Sequence, residues 1–229
     1  MNDREYSCYV LHVRPYTDTR VLVELFDRQQ GRITTIFRLS KKQGRATLAP
    51  FVAMLPVFSG RHELKTLVSI DARPSKQFNL FGKLSFCGLY INELVMRLLP
   101  QAHAHEDLFD AYEQCLAALS AVDNLPDAEP ALRIFELKLA EELGYGINFC
   151  ETVTGEPLRE YGFYRFNGEG FVSVNEDEDA HSLSGDVLLQ IHAGDFRSQE
   201  ARLAAKRLVR VFLNQLLDGK PLHSRELFR

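Results

Sequence analysis

RVLVELFDRQQGRITTIFR, residues 20–38, decides the first half of the fold. Val21, Val23 and Leu25 share one face of an alternating run. Asp27-Arg28-Gln29-Gln30-Gly31 then interrupts before Arg32-Ile33-Thr34-Thr35-Ile36-Phe37 resumes it. A period of two broken by a polar, glycine-ended turn predicts a β-hairpin, because successive strand side chains point to opposite faces. Working outward, Tyr6–Arg14, Phe51–Phe58 and Glu63–Asp71 are further short apolar blocks, which with Arg20–Phe26 and Arg32–Arg38 makes five predicted strands. So many strands in so short a stretch expose long edges unless the sheet closes. A small barrel is therefore expected, with the OB-fold the commonest five-stranded form and an SH3-like barrel the competing shape.

The charge distribution follows the same division. Residues 1–76 hold 13 Lys and Arg against 7 Asp and Glu, a net of +6, whereas residues 77–229 hold 14 against 24, a net of −10. A domain-sized basic block inside a chain of net charge −4 points to a polyanionic partner for that block. Its densest part, Arg38-Leu39-Ser40-Lys41-Lys42-Gln43-Gly44-Arg45, falls between the third and fourth strands and reads as a loop. Arg38, Lys41, Lys42 and Arg45 on a glycine-containing connector suit a phosphate backbone gripped without regard to base, and Arg14, Arg32, Arg61 and Lys65 extend that surface. Tyr9, Tyr16 and Phe37 are the aromatics nearby that are candidates to stack on unpaired bases.

Beyond Pro74 the period lengthens to that of a helix. Leu84, Cys87, Ile91, Leu94, Val95 and Leu98 form one apolar stripe, ended by Pro100. Leu108, Phe109, Tyr112, Cys115, Leu116 and Leu119 form a second. Leu132, Phe135, Leu139 and Leu143 form a third, opening near Pro130 and stopping at Gly144. Residues 145–182, rich in glycine and aromatics and carrying the acidic run Glu176–Asp179, predict loops and one short hairpin, packed by Phe149, Tyr161, Phe163, Tyr164, Phe166 and Phe171. Helix returns at about Gly185–His192 and Gln199–Leu217. There Leu203, Leu208, Val211, Phe212 and Leu216 supply an apolar face and Arg202, Lys206 and Arg210 a basic stripe. The expected fold class is α+β: an OB-fold barrel over residues 1–78, a helical domain over 79–146 and 183–229, and a small insert over 147–182.

Composition and motifs exclude several functions. The chain lacks the P-loop, dinucleotide, nucleophile-elbow and H-E-x-x-H signatures, so a non-catalytic binding role is expected, with no cofactor. Cys8, Cys87, Cys115 and Cys150 form no C-x-x-C pair. His103-Ala-His105-Glu106-Asp107 resembles a metal string but lacks further ligands at metal spacing, and its acids suit the first turn of a helix. A polar start and no long apolar run predict a soluble cytoplasmic protein without a membrane partner. The helical region holds few cations, and helix spacing sets Glu93 beside Arg97, Glu129 beside Arg133 and Lys138 beside Glu142.

Six segments together resemble the bacterial RecO family. They are Tyr9-Val-Leu-His-Val-Arg-Pro-Tyr16 with Thr17 to Arg20, Leu25-Phe-Asp-Arg-Gln-Gln-Gly-Arg32, Gly60-Arg-His-Glu-Leu-Lys-Thr-Leu67, Leu89-Tyr-Ile-Asn-Glu-Leu94, Phe135-Glu-Leu to Leu143-Gly-Tyr-Gly146, and Pro221-Leu-His-Ser-Arg-Glu-Leu-Phe228. The resemblance implies an N-terminal OB-fold, a helical domain completed by C-terminal helices, and a small insert. It also implies single-stranded DNA binding and annealing in DNA repair and recombination, capture of the acidic C-terminal tail of single-stranded-DNA-binding protein (SSB), and work with RecR to load recombinase at gaps, in a nucleoid-associated setting. Many members carry a four-cysteine zinc site in the insert. Here the matching region offers Cys150 alone, so a zinc-ribbon position without zinc is expected. For the SSB tail, Arg133 at the opening of a helix, with Leu132 and Phe135 beside it, is the candidate cation and apolar lining. The alternatives left open are an OB-fold protein-interaction module and an RNA-binding module.

Overall fold

The computed structural model describes residues 8–39, 48–60, 64–175 and 181–228. Five strands, β1 (Cys8–Thr17), β2 (Arg20–Asp27), β3 (Gly31–Arg38), β4 (Val52–Ser59) and β5 (Lys65–Gln77), close into a barrel in the order β1-β2-β3-β5-β4. The pairs β1–β2, β2–β3 and β4–β5 are antiparallel and β3–β5 is parallel. Closure in this order is the OB-fold arrangement expected from strand number. Val21, Val23, Leu25, Ile33, Phe37 and Met54 meet in its interior. The predicted hairpin is present: Asp27 stands opposite Gly31 and Arg20 opposite Arg38. The Asp27 carboxylate accepts the backbone N–H groups of Gln29 and Gln30, each at 2.9 Å, which closes the turn. Gly31 has φ +69°, and a Cβ there would lie 1.6 Å from the carbonyl oxygen of His103, so the segment after the first helix can approach the turn only over a glycine.

Two helices, α1 (Lys83–Leu98) and α2 (Glu106–Ser120), bury the predicted stripes against the barrel. Their attachment is polar as well as apolar. β1 is irregular between Val10 and His12, and there Asn92 of α1 donates from Nδ2 to the carbonyls of Val10 (3.4 Å) and Leu11 (3.3 Å). Tyr112 of α2 donates its hydroxyl to Asn92 Oδ1 at 2.6 Å, so one buried amide joins a strand and two helices. The neighbouring Glu93, 8% exposed, accepts the backbone N–H groups of His223 (2.9 Å) and Ser224 (2.8 Å) and the Ser224 hydroxyl (2.6 Å). It thereby caps a 3₁₀ helix at His223–Phe228, and Arg97 adds a bond to the carbonyl of Pro221 at 2.6 Å. Two of the segments that carry the family resemblance, Leu89–Leu94 and Pro221–Phe228, are thus in contact.

The remaining elements are α3 (Leu125–Glu142), a three-stranded sheet of β6 (Phe163–Phe166), β7 (Phe171–Val174) and β8 (Leu183–Ser184), and helices α4 (Gly185–His192) and α5 (Gln199–Leu216). The chain divides into two compact units, Met1–Leu125 with Pro221–Arg229, and Pro126–Lys220. Three expectations change here. α3 opens five residues before Pro130, because Pro126 occupies the first turn, where a missing N–H costs nothing, and the helix carries Pro130 inside it. Its end is as expected: Gly144 takes φ +82° and Tyr145 donates to Ala140 at 2.8 Å, the six-to-one bond of a Schellman stop. On α5 the buried face is Ala201, Ala204, Ala205, Leu208, Val209, Phe212 and Leu213, while Leu203 and Val211 face solvent. Of the aromatics expected to pack the insert, Phe149, Tyr164 and Phe171 are buried with Leu158 and Leu188, but Tyr161 is 89% exposed.

Candidate nucleic-acid interface

Alternation along the hairpin gives the barrel an outer row on each strand: Arg20, Leu22, Glu24 and Phe26 on β2, and Arg32, Thr34, Ile36 and Arg38 on β3. The two ends of this surface differ. Near the turn it is covered by α2, with the Phe26 ring tilted 54° against Phe109 at 5.2 Å and edge-on to Tyr112 at 5.6 Å. At the far end Arg20 and Arg38 stand directly opposite each other and both are exposed. Arg14, also exposed, pairs with Leu22 one strand over, and Tyr16, two residues further along, is 52% exposed. Among the described residues none of these arginines has an ion-pair partner. Like charges facing across strands repel unless an anion lies over them, so this end of the barrel carries positive charge that no carboxylate among the described residues offsets. Arg20 was not among the residues picked out from sequence. The hairpin itself held the signal, because Asp27 and Gly31 facing each other put Arg20 opposite Arg38 seven residues further out on each strand.

The other predicted cations divide. Arg32 is half-buried and turned toward Glu24 at 3.7 Å, whose carboxylate also accepts the Thr34 hydroxyl at 2.9 Å. Lys65 donates to Gln30 Oε1 and lies 5.7 Å over the Phe58 ring. These two brace the barrel rather than extend the exposed row. Lys41, Lys42, Arg45 and Arg61 lie outside the described residues, with the first three within seven positions of Arg38 in the chain. Tyr9 and Phe37 are corrections to the stacking candidates: both are buried, Phe37 in the barrel core and Tyr9 among Phe109, Tyr112 and Phe78. The Tyr9 hydroxyl donates to Glu113 at 2.8 Å; burial first, and then that carboxylate, push its phenol up. Of the three aromatics, Tyr16 alone is presented for stacking.

In the second unit Arg133 does not form an exposed rim. It is 6% exposed and paired with Glu136 at 2.9 Å, with Leu132 and Phe135 buried alongside, because its position on α3 falls on the inward face. The expected Glu129–Arg133 pair is replaced by ion pairs from α5: Lys206 bonds Glu129 at 3.0 Å, and Arg202 Nε stands 4.0 Å from it. The other two expected pairs are present, Arg97 with Glu93 at 3.4 Å and Lys138 with Glu142 at 3.8 Å. Sequence reasoning missed the exposed cations Arg165 and Arg207, which flank a groove of about 620 Å³ lined by Phe166, Leu183 and Val211. Leu203 and Val211, exposed apolar residues of α5, stand four residues to either side of Arg207.

Among the described residues no group of three or more His, Cys, Asp or Glu is placed to hold a metal ion, and no helix is long and apolar enough to cross a membrane. The family model "Recombination protein O N terminal" matches residues 1–74 and "Recombination protein O C terminal" matches residues 82–226. The chain is similar to the DNA repair protein RecO of Marinobacter nauticus, 40% identical over 98% of this chain and 94% of the relative. It is likewise similar to that of Psychromonas ingrahamii, 38% identical over 97% of each. The RecO of Escherichia coli (strain K12 / DH10B) is 38% identical over 96% of this chain and 92% of its own. With both family models covering the barrel and the helical regions in order, the chain belongs to the RecO family, whose named members are DNA repair proteins.

Proposed function

We propose that the chain binds and anneals single-stranded DNA through the open end of the barrel, engages the SSB tail, and works with RecR to load recombinase at gaps, without catalysis or cofactor. The observation that carries the reading is the exposed, mutually facing pair Arg20 and Arg38, flanked by Arg14 and Tyr16. Lys41, Lys42 and Arg45 follow within seven positions of Arg38, and Arg61 is a further cation of the same domain. Annealing follows from the chemistry of the ligand. Two strands repel through their phosphates, and a basic surface that neutralises both while leaving base edges free lowers that repulsion. Arg32 and Lys65 serve this reading indirectly, by bracing the strands that present the row.

The tail reading is supported by charge and shape in the second unit. An acidic peptide ending in an apolar side chain and a carboxylate needs a greasy groove rimmed by a cation, which describes Arg207 and Arg165 beside Phe166, Leu183 and Val211. Arg133 with Leu132 and Phe135, the earlier candidate, is buried around Glu136 and would have to open to serve.

The experiment is a salt titration of oligo(dT) binding. If about four phosphates are contacted, log K falls with log salt at a slope near −0.7 per contact. Arg20→Ala/Arg38→Ala should make that slope shallower by about 1.4 and slow strand annealing. An unchanged slope overturns the interface. Equal or tighter binding of an RNA of the same length favours the RNA-binding alternative, and displacement by acidic peptide but not by oligo(dT) favours the protein-interaction one.

A further inference from the structure

Three of the four cysteines, Cys8, Cys87 and Cys115, are buried, whereas Cys150 is exposed. Its Sγ lies 3.3 Å from Nε2 of His192, an exposed residue that closes α4. The loop bearing the thiol is pinned on both sides: the Cys150 N–H donates to Asn148 Oδ1 at 2.9 Å, and its carbonyl accepts the Leu158 N–H at 2.7 Å. Next to the pair runs a groove of about 540 Å³, with Leu137, Phe149 and Phe196 among its apolar lining and Lys138 and Glu141 as its charged groups besides His192. Lys138 bonds Glu141 at 3.1 Å, so those two charges offset each other and the histidine is the base in reach of the sulfur.

We propose that Cys150 and His192 form a thiol–imidazole dyad that makes Cys150 a site of reversible modification by a small disulfide of the glutathione class. Nε2 takes the thiol proton as Sγ attacks one sulfur of the disulfide. A Cys150–sulfur bond forms, the incoming sulfur–sulfur bond breaks, and the departing thiolate takes the proton back from the imidazolium. Cys150 is oxidised and the small disulfide is reduced, in a two-electron exchange that a free thiol reverses. The adjoining groove, with its apolar lining, receives the attached group.

The full chain, held folded at pH 7 with glutathione disulfide, is followed by intact mass and peptide mapping. One adduct is expected, on Cys150, absent in Cys150→Ser and removed by dithiothreitol. His192→Ala should slow its formation about tenfold, below the usual general-base contribution because a thiol reacts appreciably unaided. That deficit should shrink as the pH is raised and hydroxide takes the place of the missing base. As a second measurement that needs no variant, Cys150 of the folded wild type should alkylate faster with iodoacetamide than the same cysteine in urea. First modification at Cys8, Cys87 or Cys115, an unchanged rate in His192→Ala, or equal alkylation folded and unfolded each overturns the proposal.

Discussion

Glu93 shows how much a single side chain decides in this fold. Burial alone would raise its carboxyl, but bonds from Ser224, His223 and Arg97 outweigh that and hold it below the ordinary glutamate value of 4.5. A carboxylate stabilised this way adds to folding stability at pH above 4.5, and the contribution is lost as pH falls through its lower folded value. Glu93→Gln should cost about 2 kcal/mol at pH 7, since charged hydrogen bonds to buried N–H groups are replaced by an amide that also presents donors to them. Urea denaturation should also show less acid-dependent loss of stability in the variant than in the wild type below pH 4.5. A wild-type and variant pair with the same pH dependence would remove Glu93 from this role. At the same scale, Tyr9 and Tyr16 are indistinguishable by residue type. One lies under α2 and the other at the open end of β1, a difference set by which part of the strand a distant helix covers.

At the scale of elements, the strands and most helix stripes were legible because they rest on local spacing, two residues for a strand and about 3.6 for a helix. Where the local pattern was ambiguous the structure departed from it. α3 starts at Leu125 because a proline in a first turn is harmless, and α5 buries its alanines because small residues let a helix pack closely, which turns Leu203 and Val211 outward. How elements attach was not legible at all. The amide of Asn92 joins β1, α1 and α2 across separations of 81, 82 and 20 residues, and nothing in those local windows marks it. Tyr112→Phe should leave Asn92 Oδ1 buried without its donor and lower stability by about 1 to 3 kcal/mol, read by thermal or chemical denaturation. Since Tyr112 is remote from Arg20 and Arg38 on the hairpin's outer face, the salt slope of DNA binding should stay as in the wild type. A changed slope would tie the buried network to the interface.

For the molecule as a whole, the division into a basic first third and an acidic remainder acquires a second meaning. Part of the positive charge is taken up within the first unit by acids of α2: Arg28 by Asp110 and Glu106, and Lys76 by Glu113 at 3.0 Å. The helix therefore neutralises the barrel where it covers it and leaves Arg14, Arg20 and Arg38 exposed beyond its reach. This predicts opposite signatures for two arginines of one strand. Arg38→Ala should weaken oligo(dT) binding and make the salt slope shallower by about 0.7 with little effect on stability, whereas Arg32→Ala should leave the slope unchanged and destabilise the fold. Paired titrations and melts of the two variants check it, and a reversed pattern would move the interface to the turn end of the hairpin.

The sequence by itself determined the period of each segment, the hairpin that puts Arg20 opposite Arg38, the closure that five short strands require, and the concentration of cations at one end of the chain. These depend on neighbours in sequence, where geometry is fixed by the repeat of the backbone. Only the tertiary structure decided which cations remain available, because the carboxylates that occupy the others stand far along the chain, as in Arg28 with Asp110 82 residues away and Lys76 with Glu113 37 away. The same holds for Arg133, whose expected partner Glu129 is taken by Lys206 77 residues on, and for Cys150, whose histidine lies 42 residues on. A side chain's charge is written in the sequence, but its partner and its exposure are set by packing between segments that no local spacing relates.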